Sequence, residues 1–424
     1  MITRHAWTVA TIASIVGAVS LMAAVAGYQN GPPTATGLYH PDPQHLWNRL
    51  HRHLHVRTTA DGREFGLDEV DPLLWDETRY LLSGPSHARA LRLLDEFLNM
   101  GGERLITDPL KRAVLQHDLW NIFDWAVERR YDGRDARQRE ALSTRLARGI
   151  RRLALTREQI DRLPDTYADA VRADPSLPAD LLSSGGNWLP VGGLAPIARQ
   201  HASGLSRSAF SVHWNVPGGT EATAAYLKKL WEFPAPFVAD LSVDGELRAA
   251  LNPALPAVPN GTRLALVRTM LLVDQTGTIV PTKVVESIQF HVIGPVHAFS
   301  EHNMRRARLF AGQAGGLRAV EPTDRSFLTF SAKGDDVFEQ GGRGPSGEVT
   351  EVTLSFCDMC HQSRFVSGVA SVLSVRSLLK PETLVDSRHP RWAQWYPQSA
   401  AAVEAKSARM DFGVLRGIWQ SVPR

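Results

Sequence analysis

Cysteine occurs twice in this 424-residue chain, and both copies fall in Cys357-Asp358-Met359-Cys360-His361. This constrains the fold more than any compositional figure, because every covalent or metal-binding use of sulfur must act at this one point. Random placement of two cysteines three apart, with a histidine directly after, has a chance of about 2 in 10,000. Three chemistries use the pattern. The two thiols can each add to a vinyl group of a porphyrin while the adjacent imidazole reaches the iron from one face. They can instead oxidise to each other as a CxxC disulfide. Two thiolates and His361 can also hold zinc with a fourth ligand, a use commoner where thiols stay reduced.

The N-terminus bears on that choice. Arg4 precedes an uncharged run from Ala6 to Ala26, rich in Ala, Val and Ile and ending in Ala24-Val25-Ala26 before Gly27. Such a segment reads as a signal peptide over residues 1–26, with an uncleaved anchor as the alternative because the run is just long enough to span a bilayer. Either way the chain is expected to be exported, to the periplasm or another extracytoplasmic space, with membrane contact only through that anchor. Thiols there end up oxidised or joined to haem. The 47 basic and 44 acidic residues are interspersed, so no nucleic-acid partner is expected.

Residues 27–42, with Pro32-Pro33, form a spacer. The pattern over residues 43–185 is helical. Asp108-Pro109 marks the clearest helix start, followed by Leu110, Ala113, Val114, Trp120, Phe123 and Val127 at helical spacing. Ser86 is expected to cap a helix bearing Leu91, Leu94 and Leu98, and Thr156-Arg157-Glu158-Gln159 has capping-box form. A shift to Gly, Ser and Pro after Ser183 marks a boundary, and residues 186–340 read as β-rich. Leu264–Val273 and Ile279–Val292 form a hairpin around Gln275-Thr276-Gly277. Val352, Leu354 and Phe356 alternate with polar residues and lead into Cys357 within a C-terminal region, 341–424. Arg364–Leu379 fits a strand or a buried helix, and Trp392–Trp419 a helix.

Other constellations also have plainer roles. Met410 lies about 50 residues past the cysteines, where small cytochromes place an axial methionine, although a core methionine of the last helix is the plainer expectation. His291, His297 and His302 are further ligand candidates, each expected first as a surface or hydrogen-bonded histidine. His40, His45, His51, His53 and His55 cluster, with His51 and His55 four apart, and are expected on a solvated helix face for want of a third ligand nearby. Gly342-Arg343-Gly344-Pro345-Ser346-Gly347 matches GxGxxG but contains proline and runs into a strand, so a loop is expected. Asp68, Glu69, Asp71, Asp76 and Glu77 read as helix-dipole partners. Hydrolase and nucleotide motifs are missing from the sequence.

Cys357-Asp358-Met359-Cys360-His361 resembles the attachment motif of c-type cytochromes. That resemblance implies one covalent haem c per chain, with Cys357 and Cys360 as the thioether residues and His361 as the axial ligand to the metal. A β-rich domain with the motif toward the C-terminus is also similar to the cytochrome P460 and β-type cytochrome c′ group, which implies an iron open on its distal side. The expected fold is α+β: an N-terminal helical domain followed by an antiparallel β-rich domain carrying a C-terminal haem-attachment region. The expected role is one-electron transfer with a redox partner protein. The alternatives are a five-coordinate haem enzyme or gas sensor, and a cofactor-free binding or redox module with a CxxC disulfide.

Overall fold

The computed structural model describes residues 37–58, 62, 64–70, 79–128, 133, 135–191, 207–241, 247–295, 298–321, 324, 326–327, 338, 351–352 and 396–421. Both helices and an antiparallel sheet are present, so the chain is α+β.

The helices at the N-terminal end are α1 (Leu46–His55), α2 (Gly84–Asn99), α3 (Pro109–Val127), α4 (Ala136–Leu153), α5 (Arg157–Asp161) and α6 (Thr166–Ala173). Helix α3 begins as expected: the Asp108 carboxylate accepts from the Leu110 and Lys111 N–H groups, and Pro109 occupies the first turn, where no amide is needed. From Ala113 to Ala126 every residue of α3 is buried, so the helix is enclosed on all sides. The capping box at Thr156 also forms, with reciprocal bonds to Gln159. Ser86, by contrast, is not a cap. Residue Ser83 holds that position, and the Ser86 hydroxyl lies inside the first turn of α2, donating to the Ser83 carbonyl.

The main sheet has six antiparallel strands. They are β3 (Leu189–Val191), β4 (Ser208–Asn215), β7 (Arg263–Val273), β8 (Ile279–Val292), β9 (Ala298–Met304) and β10 (Leu317–Ala319), in the order β10-β9-β8-β7-β4-β3. The β7–β8 hairpin falls where the alternation predicts it. Its turn is tied by the Asp274 carboxylate, which accepts from the Thr276 and Thr278 amides, while Gly277 supplies a φ of +83°. Two-stranded pairs β1–β2 (Arg57–Thr58 and Glu64–Phe65), β5–β6 (Phe237–Leu241 and Leu247–Leu251) and β11–β12 (Ser326–Phe327 and Glu351–Val352) lie outside this sheet.

Helix α7 (Gly219–Glu232) packs Tyr226, Leu227, Leu230 and Trp231 on Val212, Trp214 and Leu264 of one sheet face. A larger apolar cluster runs without interruption from α1–α6 into Val267, Met270, Val285 and Ile288 of the sheet. The short helix α8 (Arg306–Phe310) follows β9. Beyond it Gly315, at φ +59°, lies so close to α6 that a Cβ would stand 1.9 Å from the Thr166 carbonyl oxygen, so only glycine fits. The last helices, α9 (Tyr396–Ser407) and α10 (Met410–Ser421), return to the core, where Phe412, Leu415 and Trp419 are buried. The helix expected over Trp392–Trp419 is, from Tyr396 on, two helices with a break at Ala408-Arg409.

Candidate functional site

Cys357, Cys360 and His361 lie outside the described residues, as do Gly342–Gly347, His297, Asp71, Asp76, Glu77 and the stretch from Arg364 to Leu379. Of the alternating strand expected ahead of Cys357, the described part is Glu351–Val352, paired antiparallel with Ser326–Phe327. The chain is next described at Tyr396, where α9 begins and packs on β4 and β8.

The candidate distal ligands take unlike positions. Met410 is not a core residue: it opens α10 and is 40 % exposed, because Phe412, Leu415 and Trp419 occupy the inward face of that helix. His302 is the hydrogen-bonded histidine expected, with Nε2 3.1 Å from the Asp174 carboxylate and its ring edge-on to Phe290. His291 is buried and stacks on Phe299 at 4.3 Å between centroids.

Two members of the histidine cluster overturn its expectation, while His40 is exposed and His45 and His53 are part-buried. His51 and His55 do share one face of α1, but that face is buried, at 2 % and 0 % exposure. It is turned toward Asp118 of α3, whose carboxylate oxygens lie 3.9 Å from His51 Nε2 and 3.8 Å from His55 Nε2. A carboxylate therefore lies beside the pair, from a helix more than 60 positions away in sequence. Asp118 is otherwise engaged. Buried Arg306 donates to both its oxygens at 2.7 and 2.8 Å, and the Tyr39 hydroxyl donates to Oδ2 at 3.0 Å. Burial, then the nearby Arg306 guanidinium, hold the His51 imidazole well below its ordinary pKa, so it sits there neutral. Among the described residues no group of three or more His, Cys, Asp or Glu side chains is arranged to hold a metal ion.

Two more ionic groups attach to the same helix. His117 Nε2 is 3.0 Å from Glu286 Oε1, while Arg268 and the Ser208 hydroxyl approach the other oxygen of that carboxylate. Asp124 receives Lys406 at 2.6 Å and Arg207 at 3.3 Å, and Lys406 also bonds Asp411 at the start of α10. Burial pushes the Asp124 carboxyl up to about 6, against the pull of those two cations. Sequence reading missed all three groups. Their signal was present, since Gln116, His117, Asp118, Asn121 and Asp124 interrupt an otherwise apolar helix, but their partners come from elements far along the chain.

Of the acidic group before Pro72, Asp68 accepts the Ala307 N–H at the start of α8, and Glu69 pairs with Arg305, so both serve structure. Among the described residues an open polar pocket lies between the outward face of α1 and α2. Comparison of the chain with protein-family models, with curated proteins and with solved structures finds no match.

Proposed function

We propose that the chain is an exported, mono-haem c-type protein whose role is one-electron transfer. The observation that carries this reading is Cys357-Asp358-Met359-Cys360-His361, which uses both cysteines of the chain and places an imidazole beside them. The thiols of Cys357 and Cys360 would bond the porphyrin, and His361 would approach its iron from one face. When bound, the haem supplies a one-electron iron couple, while the protein fixes its orientation and surroundings. The uncharged segment before Gly27 supports export to a compartment where such attachment takes place. Among the described residues no helix is long and apolar enough to cross a membrane. In this reading a helical domain over residues 43–185 and an antiparallel β-rich domain over 186–340 carry an attachment region over 341–424, with a redox partner protein docking near the porphyrin edge.

The intact mass of protein made alongside haem-attachment machinery tests the proposal. One haem adds roughly 616 Da, whereas a disulfide removes about 2 Da. Cys360→Ser is expected to lose the colour that wild-type protein retains through boiling in detergent. A wild-type mass lower by two hydrogens, without haem, overturns the proposal.

A second reading, an open iron serving catalysis or gas sensing, draws support from the ligand candidates. Met410 is exposed, and His302 is already bonded to Asp174. Carbon monoxide separates the two: a low-spin iron that ignores it favours electron transfer, and a high-spin iron that binds it favours the second reading.

A further inference from the structure

We infer that the pocket between α1 and α2 is a binding site for a small oxyanion, a phosphate or carboxylate group. Its volume is about 370 Å³, and Arg49, Arg52, His53, Thr58, Tyr80 and Arg89 line it. Local structure explains the convergence. Arg49, Arg52, His53 and Val56 are three or four apart on the face of α1 opposite His51 and His55, so one helix turns His51 and His55 inward and Arg49 and Arg52 outward.

Among the described residues the charges around the pocket do not balance. Arg49 forms a two-pronged pair with Glu96 at 2.8 and 2.9 Å, and Arg52 pairs with Glu64, so these two guanidinium groups are neutralised. Arg89 is exposed and has no acidic partner among the described residues, and Arg92, one turn along α2, has none either. A further guanidinium, that of Arg57, lies 4.3 Å over the Tyr80 ring at the pocket wall. Other groups are suited to an anion as well: the Thr58 hydroxyl can donate, and Arg49 and Arg52 keep N–H groups beyond those used by their carboxylates. An oxyanion placed here would meet an unpaired cation and several donors in a concave site, which makes its hydrogen bonds charge-assisted.

His53 is a built-in reporter. Its Nε2 lies 2.8 Å from the Ser86 carbonyl, and burial, followed by Arg89 and Arg92, pushes its pKa below the ordinary histidine value. A bound anion offsets those cations, so the His53 pKa should rise on binding.

The test uses the full chain titrated separately with inorganic phosphate and with succinate, followed by calorimetry and by the His53 ring resonances against pH. Saturable binding of phosphate alone assigns a phosphoryl ligand, and of succinate a carboxylate. In either case Arg89→Ala should weaken binding by about tenfold or more, as expected for removal of a charge-assisted partner, and should move the His53 shift to correspondingly higher anion concentration. Arg148→Ala, exposed on α4, should leave both unchanged. Binding of neither anion overturns the inference, as does equal loss in the two variants, which would mean unspecific attraction to a basic surface.

Discussion

Helices α3 and α10 touch each other and invert the usual distribution of side chains in opposite senses. Helix α3 buries His117, Asp118 and Asp124, whereas α10 leaves Met410 and Val414 exposed at 40 % and 37 %. The inversions differ in cost. An exposed methionine or valine loses a little hydrophobic stabilisation, but a buried ion without a partner costs several kcal/mol. Accordingly Asp118 and Asp124 of α3 each have a counter-charge, supplied by Arg306 and by Lys406 with Arg207, while His117 faces the Glu286 carboxylate, which Arg268 also approaches. Each partner comes from the sheet side of the chain or its C-terminal end, so the pairs tie distant segments to one helix.

The comparison breaks most sharply if a single counter-charge is taken away. Asp118→Ala leaves Arg306 buried with no carboxylate, and a loss of about 3–5 kcal/mol in unfolding free energy is expected from chemical denaturation. Arg306→Met in the same background should recover part of it, because the stranded cation is then removed as well. A single Asp118→Ala variant as stable as wild type would mean that the pair contributes nothing to holding α8 on α3.

Protonation gives a subtler test, since two buried groups titrate with opposite sign. Burial lowers His213, whose ring bonds Ser211, to about 4. Its folded pKa is thus below the unfolded value, so the stability it confers is present above about 6.5 and is lost as pH falls toward 4, on the order of 3 kcal/mol. Asp124 is raised to about 6, so its contribution is present below the unfolded carboxyl pKa and is lost as pH rises through 6. Between pH 6.5 and 4 the two should largely offset each other. His213→Gln is expected to become relatively more stable than wild type as pH falls through that window, and Asp124→Asn relatively less stable. Thermal unfolding of the three proteins at pH 7 and 4.5 checks the signs, and parallel pH profiles would contradict them.

How much of this could be read beforehand follows from the range of each interaction. The start of α3 at Asp108-Pro109, the Thr156 capping box and the β7–β8 hairpin were legible because each rests on residues within a few positions of one another. The burial of His51 and His55 was not. Their spacing fixes a shared face of α1, but Asp118 and Arg306, which decide whether that face is wet or dry, are 63 and 251 positions beyond His55. Met410 failed for a related reason, since the inward face of α10 depends on where α3 and α4 stand. The pentapeptide at Cys357 is the opposite case: its five residues are local, so the reading proposed for it rests on no knowledge of the fold.

The smallest effect concerns the exposed side of α10. Gly413 and Gly417 lie on that helix with open space where a Cβ would go, and neither has a positive φ. Alanine at Gly417 therefore meets nothing and restricts the unfolded chain, which should stabilise the protein by about 0.5–1 kcal/mol. The sign carries the information. Met410, Gly413, Val414 and Gly417 recur at helical spacing, so a surface pressed onto this face in solution would turn the added methyl from a gain into a clash. A higher midpoint for Gly417→Ala in chemical denaturation means that the outer face of α10 is solvated and the contrast with α3 holds; a lower one means that α10, too, owes its side-chain distribution to a neighbour.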